Sequence, residues 1–264
     1  MHDKRIGKYL HSIEQSKAIN YSKFLALLPE QLREEVKEKA TINFLSKGSV
    51  IVEISCVQLL EELHSMAIDP SSRIDATLLG DSHKVNSSTS YLMAYHQSSV
   101  DIHPDTIISS NDEAHLKFEP KKRLVIVENA ELFFARETLF AQMNKAFSLS
   151  LSFNNTDLVF GAGNQISNKH NYTFINQYDS ILCFFDYDFG GLKIYKAMQN
   201  MVGSKAKFLE PSSDNLNEFF IKKPKTQEQY TKALEAANNL GLSKLYSLFE
   251  SKKSFMEQEA LLAL

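Results

Sequence analysis

The stretch CFFDYDFGGLKIY, residues 183 to 195, decides the fold that the sequence predicts. An apolar run ends in two aspartates, Asp186 and Asp188, which are followed by a glycine pair and by apolar residues at helical spacing. A buried strand that turns tightly into a helix has this order of residue types. Carboxylates are costly at the end of a buried strand unless they are paired or bound to a cation. The two aspartates are therefore candidate functional residues.

Further strands and helices alternate on both sides of this stretch. The segments NAELFFARETLFAQMN (129 to 144) and GLKIYKAMQNMV (191 to 202) have helical spacing. The predicted strands are RLVIVE (123 to 128), TDLVFGAG (156 to 163), SILCFFDYD (180 to 188) and AKFLE (206 to 210). This alternation is typical of parallel βαβ units with helices on the faces of the sheet. We therefore expect an α/β domain with a parallel sheet over residues 121 to 264.

The first 120 residues have a different organisation. Residues 1 to 68 are predicted to be mainly helical, with a hairpin pattern at FLSKGSVIVEI (44 to 54). This order fits either a winged-helix-like module or a helical cap on the main domain. Residues 69 to 120, rich in Ser, Asn, Asp and Pro, are predicted to connect the two parts through short strands such as DATLL (75 to 79) and DTIIS (105 to 109).

Composition limits the classes of protein to consider. The chain has 264 residues, a net charge of -3 and two cysteines, Cys56 and Cys183, whose spacing predicts neither a metal site nor a disulfide framework. No apolar run approaches the roughly 20 residues of a membrane span, and the N-terminus has no hydrophobic signal core. We therefore expect a cytoplasmic protein with no membrane partner. The net charge argues against coating of nucleic acid by bulk charge.

Three carboxylates are predicted to meet at one edge of the sheet. Glu128 closes the first predicted strand, and Asp186 and Asp188 close the third, with both aspartates on the same side of an extended chain. Ligands of such sheets collect beyond the carboxyl ends of the strands. Oxygen ligands favour a hard cation, Mg²⁺ or Mn²⁺, with water and substrate phosphate in the other positions. We therefore predict that Glu128, Asp186 and Asp188 are catalytic and metal-binding residues for phosphodiester chemistry, with Gly190 and Gly191 allowing close approach of a phosphate.

A D-x-D sequence by itself is also common at helix caps and in solvated loops. The prediction of a site depends on its occurrence together with the strand-end glutamate and the glycine pair.

These residues resemble the Toprim fold shared by topoisomerases, primases and several nucleases. The resemblance lies in V-I-V-E (125 to 128), followed by a βα unit and by F-D-Y-D with a glycine pair. The chain is most similar to the branch that comprises the topoisomerase VI A subunit and the JetD nuclease of Wadjet plasmid-defence systems. That similarity covers about residues 120 to 264, in VENAELFF (127 to 134), VFGAG (159 to 163), FFDYDFGGLKIY (184 to 195) and FMEQEALL (255 to 262).

The resemblance implies a Mg²⁺-dependent or Mn²⁺-dependent DNA endonuclease that acts as a homodimer. It also implies plasmid or phage defence with an SMC-like ATPase partner. Glu257 and Glu259 in the E-Q-E segment are implied as further metal or outer contacts from a C-terminal helix, although a solvated helix face explains them equally well.

Two alternatives to the nuclease stay open. One is a Toprim-fold subunit that binds DNA or assembles without cutting it. The other is a topoisomerase VI A-like transesterase, which needs a tyrosine nucleophile. The conceivable tyrosines lie in no matching motif, and they are Tyr9, Tyr21, Tyr91 and Tyr95.

Lysines downstream of the acidic stretch are candidate DNA contacts. They outnumber the acids between residues 193 and 225, and KPK (223 to 225) lies in a predicted loop where it can meet phosphates. Most lysines on helices simply face water. The predicted DNA-binding residues are Lys193, Lys222, Lys223, Lys225 and Lys84, the last in LGDSHKV (79 to 85).

Overall fold

The computed structural model divides the chain into two compact units. The first is Met1–Ser88 and the second is Thr89–Leu264. The residues that the structure describes are 3–46, 48–67, 73–78, 87–99, 101–110, 113–211 and 214–264. Lys84 and the rest of the LGDSHKV segment lie outside these ranges.

The first unit packs helices around one hairpin. Its helices are α1 (Lys4–Glu14), α2 (Tyr21–Leu25), α3 (Glu30–Lys39), α4 (Val57–Ala67) and α5 (Arg73–Leu78). Its antiparallel strands are β1 (Ala40–Ser46) and β2 (Ser49–Ile54). Apolar side chains of α1, α4 and β2 share one core. The predicted order of helix, hairpin and helix is confirmed, and Pro29 lies at the break between α2 and α3.

The segment DATLL does not form the predicted strand. Its residues up to Leu78 belong to α5, and Leu79 lies outside the described ranges. Alanine, leucine and arginine are good helix formers, and the hydroxyl of Thr77 donates to the carbonyl oxygen of Arg73 at 2.8 Å. The short apolar run is therefore part of a helix.

A seven-stranded sheet forms the centre of the second unit. Its strands are β3 (Thr89–Tyr95), β4 (Asp105–Ser110), β5 (Glu113–His115), β6 (Arg123–Val127), β7 (Thr156–Phe160), β8 (Ser180–Phe184) and β9 (Ala206–Phe208). Their order is β5-β4-β3-β7-β6-β8-β9. The four predicted strands pair in parallel, whereas β3, β4 and β5 are antiparallel. The α/β class is confirmed, but the sheet is mixed rather than parallel.

The strands β3 to β5 extend the main sheet, so the second unit begins at Thr89 and not at residue 121. DTIIS is confirmed as part of β4. Leu92 and Ile107 from these strands are buried in the same core as the parallel strands. Much of the predicted connecting region, residues 69 to 120, is therefore part of the α/β unit.

Helices cover the sheet. They are α6 (Ala130–Phe134), α7 (Arg136–Phe147), α8 (Tyr172–Ile175), α9 (Phe189–Val202), α10 (Asp214–Asn217), α11 (Gln227–Asn239) and α12 (Ser243–Lys252). The predicted single helix from residue 129 to 144 is divided at Ala135 between α6 and α7. Within the described ranges, no helix has the length and apolar character needed to cross a membrane.

The strand order creates a switch point between β6 and β8. The chain leaves β6 through α6 and α7 to reach β7 on one side, and it leaves β8 through α9 to reach β9 on the other. Because such connections are right-handed, the two sets of helices lie on opposite faces of the sheet. In α/β proteins the ligand-binding crevice lies beyond the carboxyl ends of the strands at such a switch point, which here are the ends of β6 and β8.

The segment that carries Glu257 and Glu259 is not the predicted C-terminal helix. Phe255 and Met256 are extended and form backbone bridges to Lys222 and Tyr187, respectively. These bridges use the backbone groups that a helix would need. Only after Glu257 does the chain form a 3₁₀ helix, Gln258–Ala263.

Candidate functional site

The turn after β8 places the two aspartates at the start of α9. Asp188 caps this helix, because its Oδ1 accepts hydrogen bonds from the N–H groups of Gly190 at 2.8 Å and Gly191 at 3.1 Å. Tyr187 is fully buried between the aspartates, and its hydroxyl donates to the carbonyl oxygen of Leu209 at 2.8 Å. The two glycine N–H groups therefore bind the Asp188 carboxylate in this arrangement, and not a phosphate as the sequence predicted.

Gly191 is required by the tightness of the turn. A Cβ at this position would lie 2.1 Å from the carbonyl oxygen of Asp186 and 3.0 Å from its carbonyl carbon and amide nitrogen. These are backbone atoms, so the clash cannot be relieved by rotation of a side chain. The absence of a side chain at Gly191 therefore lets the first turn of α9 pack against the backbone of Asp186.

Glu128 follows β6 and meets the aspartates across the crevice. Its Oε2 atom is buried and has no hydrogen-bond partner among the described residues. Burial raises the pKa of Glu128 to about 7, and the negative charges of Asp186 and Asp188 contribute to the same shift. A backbone N–H of Asp186 acts in the opposite direction, and the charge of Glu259 adds to the increase. Because nearby like charges shift a pKa only at short range, the three predicted carboxylates share one site.

Gln258 joins the ends of β6 and β8. Its side chain is fully buried, and its Oε1 accepts hydrogen bonds from the N–H groups of Glu128 at 3.1 Å and Asn129 at 3.3 Å. Its own backbone N–H donates to Oδ1 of Asp186 at 2.9 Å, and its Nε2 lies 3.4 Å from the same oxygen. One residue thus holds the backbone of Glu128 and the carboxylate of Asp186 in fixed positions.

Sequence reasoning selected the two neighbours of Gln258 and missed Gln258 itself. An uncharged amide gives no electrostatic signal for a cation site, and the only indication was its place inside the E-Q-E segment. Glu259 accepts a short hydrogen bond from Nδ2 of Asn129 at the start of α6. Glu257 instead forms an ion pair with Lys222, in which Nζ lies 2.6 Å from Oε1.

One of the predicted DNA contacts reaches the carboxylates. Lys222 Nζ lies 3.7 Å from Oδ2 of Asp188. Burial lowers the pKa of Lys222, but Glu257, Asp188 and Asp186 together raise it above its ordinary value, so the side chain is a cation. Lys223 turns away and donates to Oγ of Ser254 at 2.9 Å. The two others that the structure describes, Lys193 on α9 and Lys225 before α11, are exposed.

The donor set suits a hard cation. The hydrogen bonds to Asp186 and Asp188 use Oδ1 of each carboxylate, so Oδ2 of Asp186 can ligate a cation, as can Oε2 of Glu128, which has no hydrogen-bond partner among the described residues. Oδ2 of Asp188 faces the ammonium of Lys222. Within the described ranges, however, no three His, Cys, Asp or Glu side chains are already arranged as a metal site. A cation would relieve both the unpartnered oxygen and the mutual repulsion of the carboxylates.

The chain belongs to the DUF7281 family, which is described as a domain of unknown function. The match covers residues 80–264, and it includes the seven-stranded sheet and every carboxylate of the site. A comparison with curated proteins gives no match.

The first prediction concerns the tight turn. Gly191→Ala should lower the free energy of unfolding by about 1–3 kcal/mol or more, because the new Cβ overlaps the backbone of Asp186. Urea unfolding measures this change. The control is Gly7→Ala, a change inside α1. A Cβ at Gly7 would make only an ordinary 3.5 Å contact with the side chain of Ala67 on α4, and alanine favours the helix. Equal stability of the two variants would contradict the required close approach.

The second prediction concerns the bridge between the strand ends. Gln258→Ala leaves the N–H groups of Glu128 and Asn129 without their acceptor, at a cost of about 1–3 kcal/mol for each buried group that water does not reach. We expect a lower melting temperature than for Gln227→Ala, which removes an exposed side chain at the start of α11. The same melting temperature in both variants would rule out a bridging role for Gln258.

The third prediction concerns pH. The pKa of Glu128 is about 7 in the folded chain and near 4.5 in the unfolded chain, so the folded state binds its proton more tightly. The stabilisation of the folded state by the proton on Glu128 is complete below about pH 4.5, and it is lost as the pH rises through 7. In a chelator, Glu128→Gln should therefore melt above the wild type at pH 8, and the difference should shrink towards pH 5. The control is Glu131→Gln, an exposed change on α6, and a pH-independent difference for Glu128→Gln would contradict the shifted pKa.

Proposed function

We propose that the chain is a Mg²⁺-dependent or Mn²⁺-dependent DNA endonuclease of the Toprim type. The observation that carries this proposal is the meeting of Glu128, Asp186 and Asp188 at the switch point of the sheet, together with an Oε2 atom of Glu128 that is buried and has no hydrogen-bond partner among the described residues. Carboxylates that repel one another in a ligand-binding crevice are suited to a divalent cation and a phosphate. The resemblance of the same segments to Toprim nucleases supports the choice of DNA.

Three side chains would hold the cation, namely Glu128, Asp186 and Asp188, with Glu259 as an outer contact. When bound, the cation would neutralise charge on the phosphate and lower the pKa of the attacking water. Gln258 fixes the position of Asp186 before any ligand arrives, and the helix cap fixes Asp188. The site therefore needs little rearrangement of these two carboxylates on binding.

Glu128 is the group that accepts the proton of the attacking water. Burial and the charges of Asp186 and Asp188 raise the pKa of Glu128 to about 7 without a cation, and a bound cation would lower it, so Glu128 would accept the proton as an ionised carboxylate. The water oxygen forms a bond to phosphorus while the ester P–O bond breaks. The water proton passes to Glu128, the leaving alkoxide takes a proton from solvent, and Glu128 then returns its proton to solvent, so one water is consumed for each ester cleaved.

The partners are proposed from the resemblance. A homodimer would provide two sites, one for the cleavage of each DNA strand. An SMC-like ATPase would present the DNA to these sites in plasmid or phage defence. We also propose that three lysines contact the DNA backbone, because they are exposed and their charge is not used to neutralise the carboxylates of the site. They are Lys193, Lys223 and Lys225.

A second candidate is a Toprim-fold subunit that binds DNA without cutting it. It is favoured by the position of Lys222, whose ammonium lies beside Asp188 where a divalent cation would otherwise compensate the charge. Of the tyrosines that a transesterase would need as nucleophile, Tyr95 is unsuited, because it is fully buried and its hydroxyl donates to the carbonyl oxygen of Ile102 at 2.5 Å.

The fourth prediction is a test of cleavage. Purified protein with Mg²⁺ or Mn²⁺ should nick a supercoiled plasmid, and Glu128→Ala and Asp186→Ala should each reduce the rate by at least about 100-fold. Glu131→Gln should retain the wild-type rate. In the absence of DNA, Mn²⁺ should raise the melting temperature of the wild type and not that of Asp186→Ala.

Cleavage at equal rates by the wild type and both alanine variants would refute the assignment of the site. DNA binding without nicking, in the presence of either cation and of candidate ATPase partners, would favour the second candidate.

A further inference from the structure

Two backbone bridges hold Lys222 beside the acidic site. Its N–H donates to the carbonyl oxygen of Phe255 at 3.0 Å, and the N–H of Phe255 donates back to the carbonyl oxygen of Lys222 at 2.7 Å. Met256 pairs in the same manner with Tyr187, through distances of 2.9 and 3.4 Å. The extended pair Phe255 and Met256 therefore connects Lys222 to the turn that carries both aspartates.

The core fixes this connection. Phe255 is fully buried against the ring of Phe249, and Phe220, two residues before Lys222, packs against Tyr187 with ring centroids 5.7 Å apart. The backbone of Lys222 cannot shift without disturbing these aromatic contacts. The fold therefore holds the side chain of Lys222 at the crevice.

The environment of the Lys222 ammonium is open and strongly acidic. Nζ is 2.6 Å from Oε1 of Glu257 and 3.7 Å from Oδ2 of Asp188, and the side chain is 35% exposed. Ion pairs with this much exposure contribute little to stability. The position of Lys222 is therefore poorly explained by stability alone, and the exposed part of its side chain is accessible to a ligand.

A phosphate diester that enters the crevice is repelled by the carboxylates. Among the described ion pairs, Lys222 is the one basic side chain that contacts them. An ammonium has three donors, and a single hydrogen bond to Glu257 leaves others for a phosphate oxygen. The chain thus offers a fixed positive charge at the point where the substrate needs one.

We propose that Lys222 is a catalytic residue that donates a hydrogen bond to a non-bridging oxygen of the scissile phosphate, and that Glu257 is the residue that positions it. This inference rests on the proposed function. The positive charge opposes the negative charge of the phosphoryl oxygens as the attacking oxygen bonds to phosphorus. Glu257 then acts through Lys222 rather than as the metal ligand implied by the resemblance.

The experiment compares Lys222→Met with Lys222→Arg and with Lys232→Met. Lys232 is the matched control, because it is an exposed lysine whose Nζ also forms a 2.6 Å ion pair with a glutamate, Glu228 on α11, and it has no role in the proposed site. Nicking is measured at saturating Mn²⁺. Binding to a fluorescent DNA duplex is measured in Ca²⁺ over a range of salt concentrations, and the melting temperature is measured with and without Mn²⁺ in the absence of DNA.

Lys222→Met should reduce the nicking rate by about 100-fold or more, and it should lower the salt dependence of DNA binding by the equivalent of about one phosphate contact. It should keep the stabilisation by Mn²⁺, since a competing positive charge has been removed. Lys222→Arg should recover part of the rate, and Lys232→Met should match the wild-type rate.

Glu257→Gln separates a positioning role from metal binding. Because glutamine keeps an oxygen acceptor for Lys222, we expect a smaller loss of rate than in Lys222→Met and an unchanged response of the melting temperature to Mn²⁺. A loss of that response in Glu257→Gln would overturn its assignment as a positioning residue.

The inference fails if Lys222→Met equals Lys232→Met in rate and in salt dependence, or if Lys222→Met loses the response to Mn²⁺. A wild type that neither nicks DNA nor responds to Mn²⁺ refutes the proposed function instead. In that case the salt dependence still decides whether Lys222 contacts a phosphate.

Discussion

The hydrogen bonds of Gln258 are the interaction on which the candidate site depends. The chain leaves β6 and β8 in opposite directions, so the sheet itself does not keep the residues beyond Val127 and Phe184 together. Gln258 contacts both ends, through the backbone N–H of Glu128 and the carboxylate of Asp186. Carboxylates that repel one another are thereby held close by a neutral residue, and the energy for this comes from buried hydrogen bonds and packing.

The same arrangement explains the distribution of charge around the crevice. Glu128 is mostly withdrawn from water, and one of its oxygens has no hydrogen-bond partner among the described residues. Asp188 is neutralised in part by a helix N-terminus, and Lys222 supplies the positive charge from a separate loop. Each carboxylate thus has a different environment although all three share one site. Different environments are what allow chemically similar groups to take different roles in one reaction.

Local pattern was sufficient to predict the parallel strands, α9 and the three carboxylates, because apolar runs, turn residues and strand-end acids lie within short windows of the sequence. It was insufficient for β3 and β5 and for the place of β4 in the main sheet, which depend on pairing across the sheet. It also failed for DATLL, which was predicted as a strand but up to Leu78 forms part of α5 because its residues favour a helix. The extended form of Phe255 and Met256, and hence the role of Gln258, depends on contacts with distant residues that no window contains.

The separation of Gln258 from Glu128 has a consequence for folding. The two residues are 130 positions apart along the chain, so their contact closes a long loop. Closing this loop costs conformational entropy, because the segments between the two residues must first become ordered. The strands β6, β7 and β8 can pair without this contact. A folding chain therefore assembles its sheet before it assembles its acidic crevice, and partly folded forms lack the arrangement of charges that the finished protein presents to a ligand.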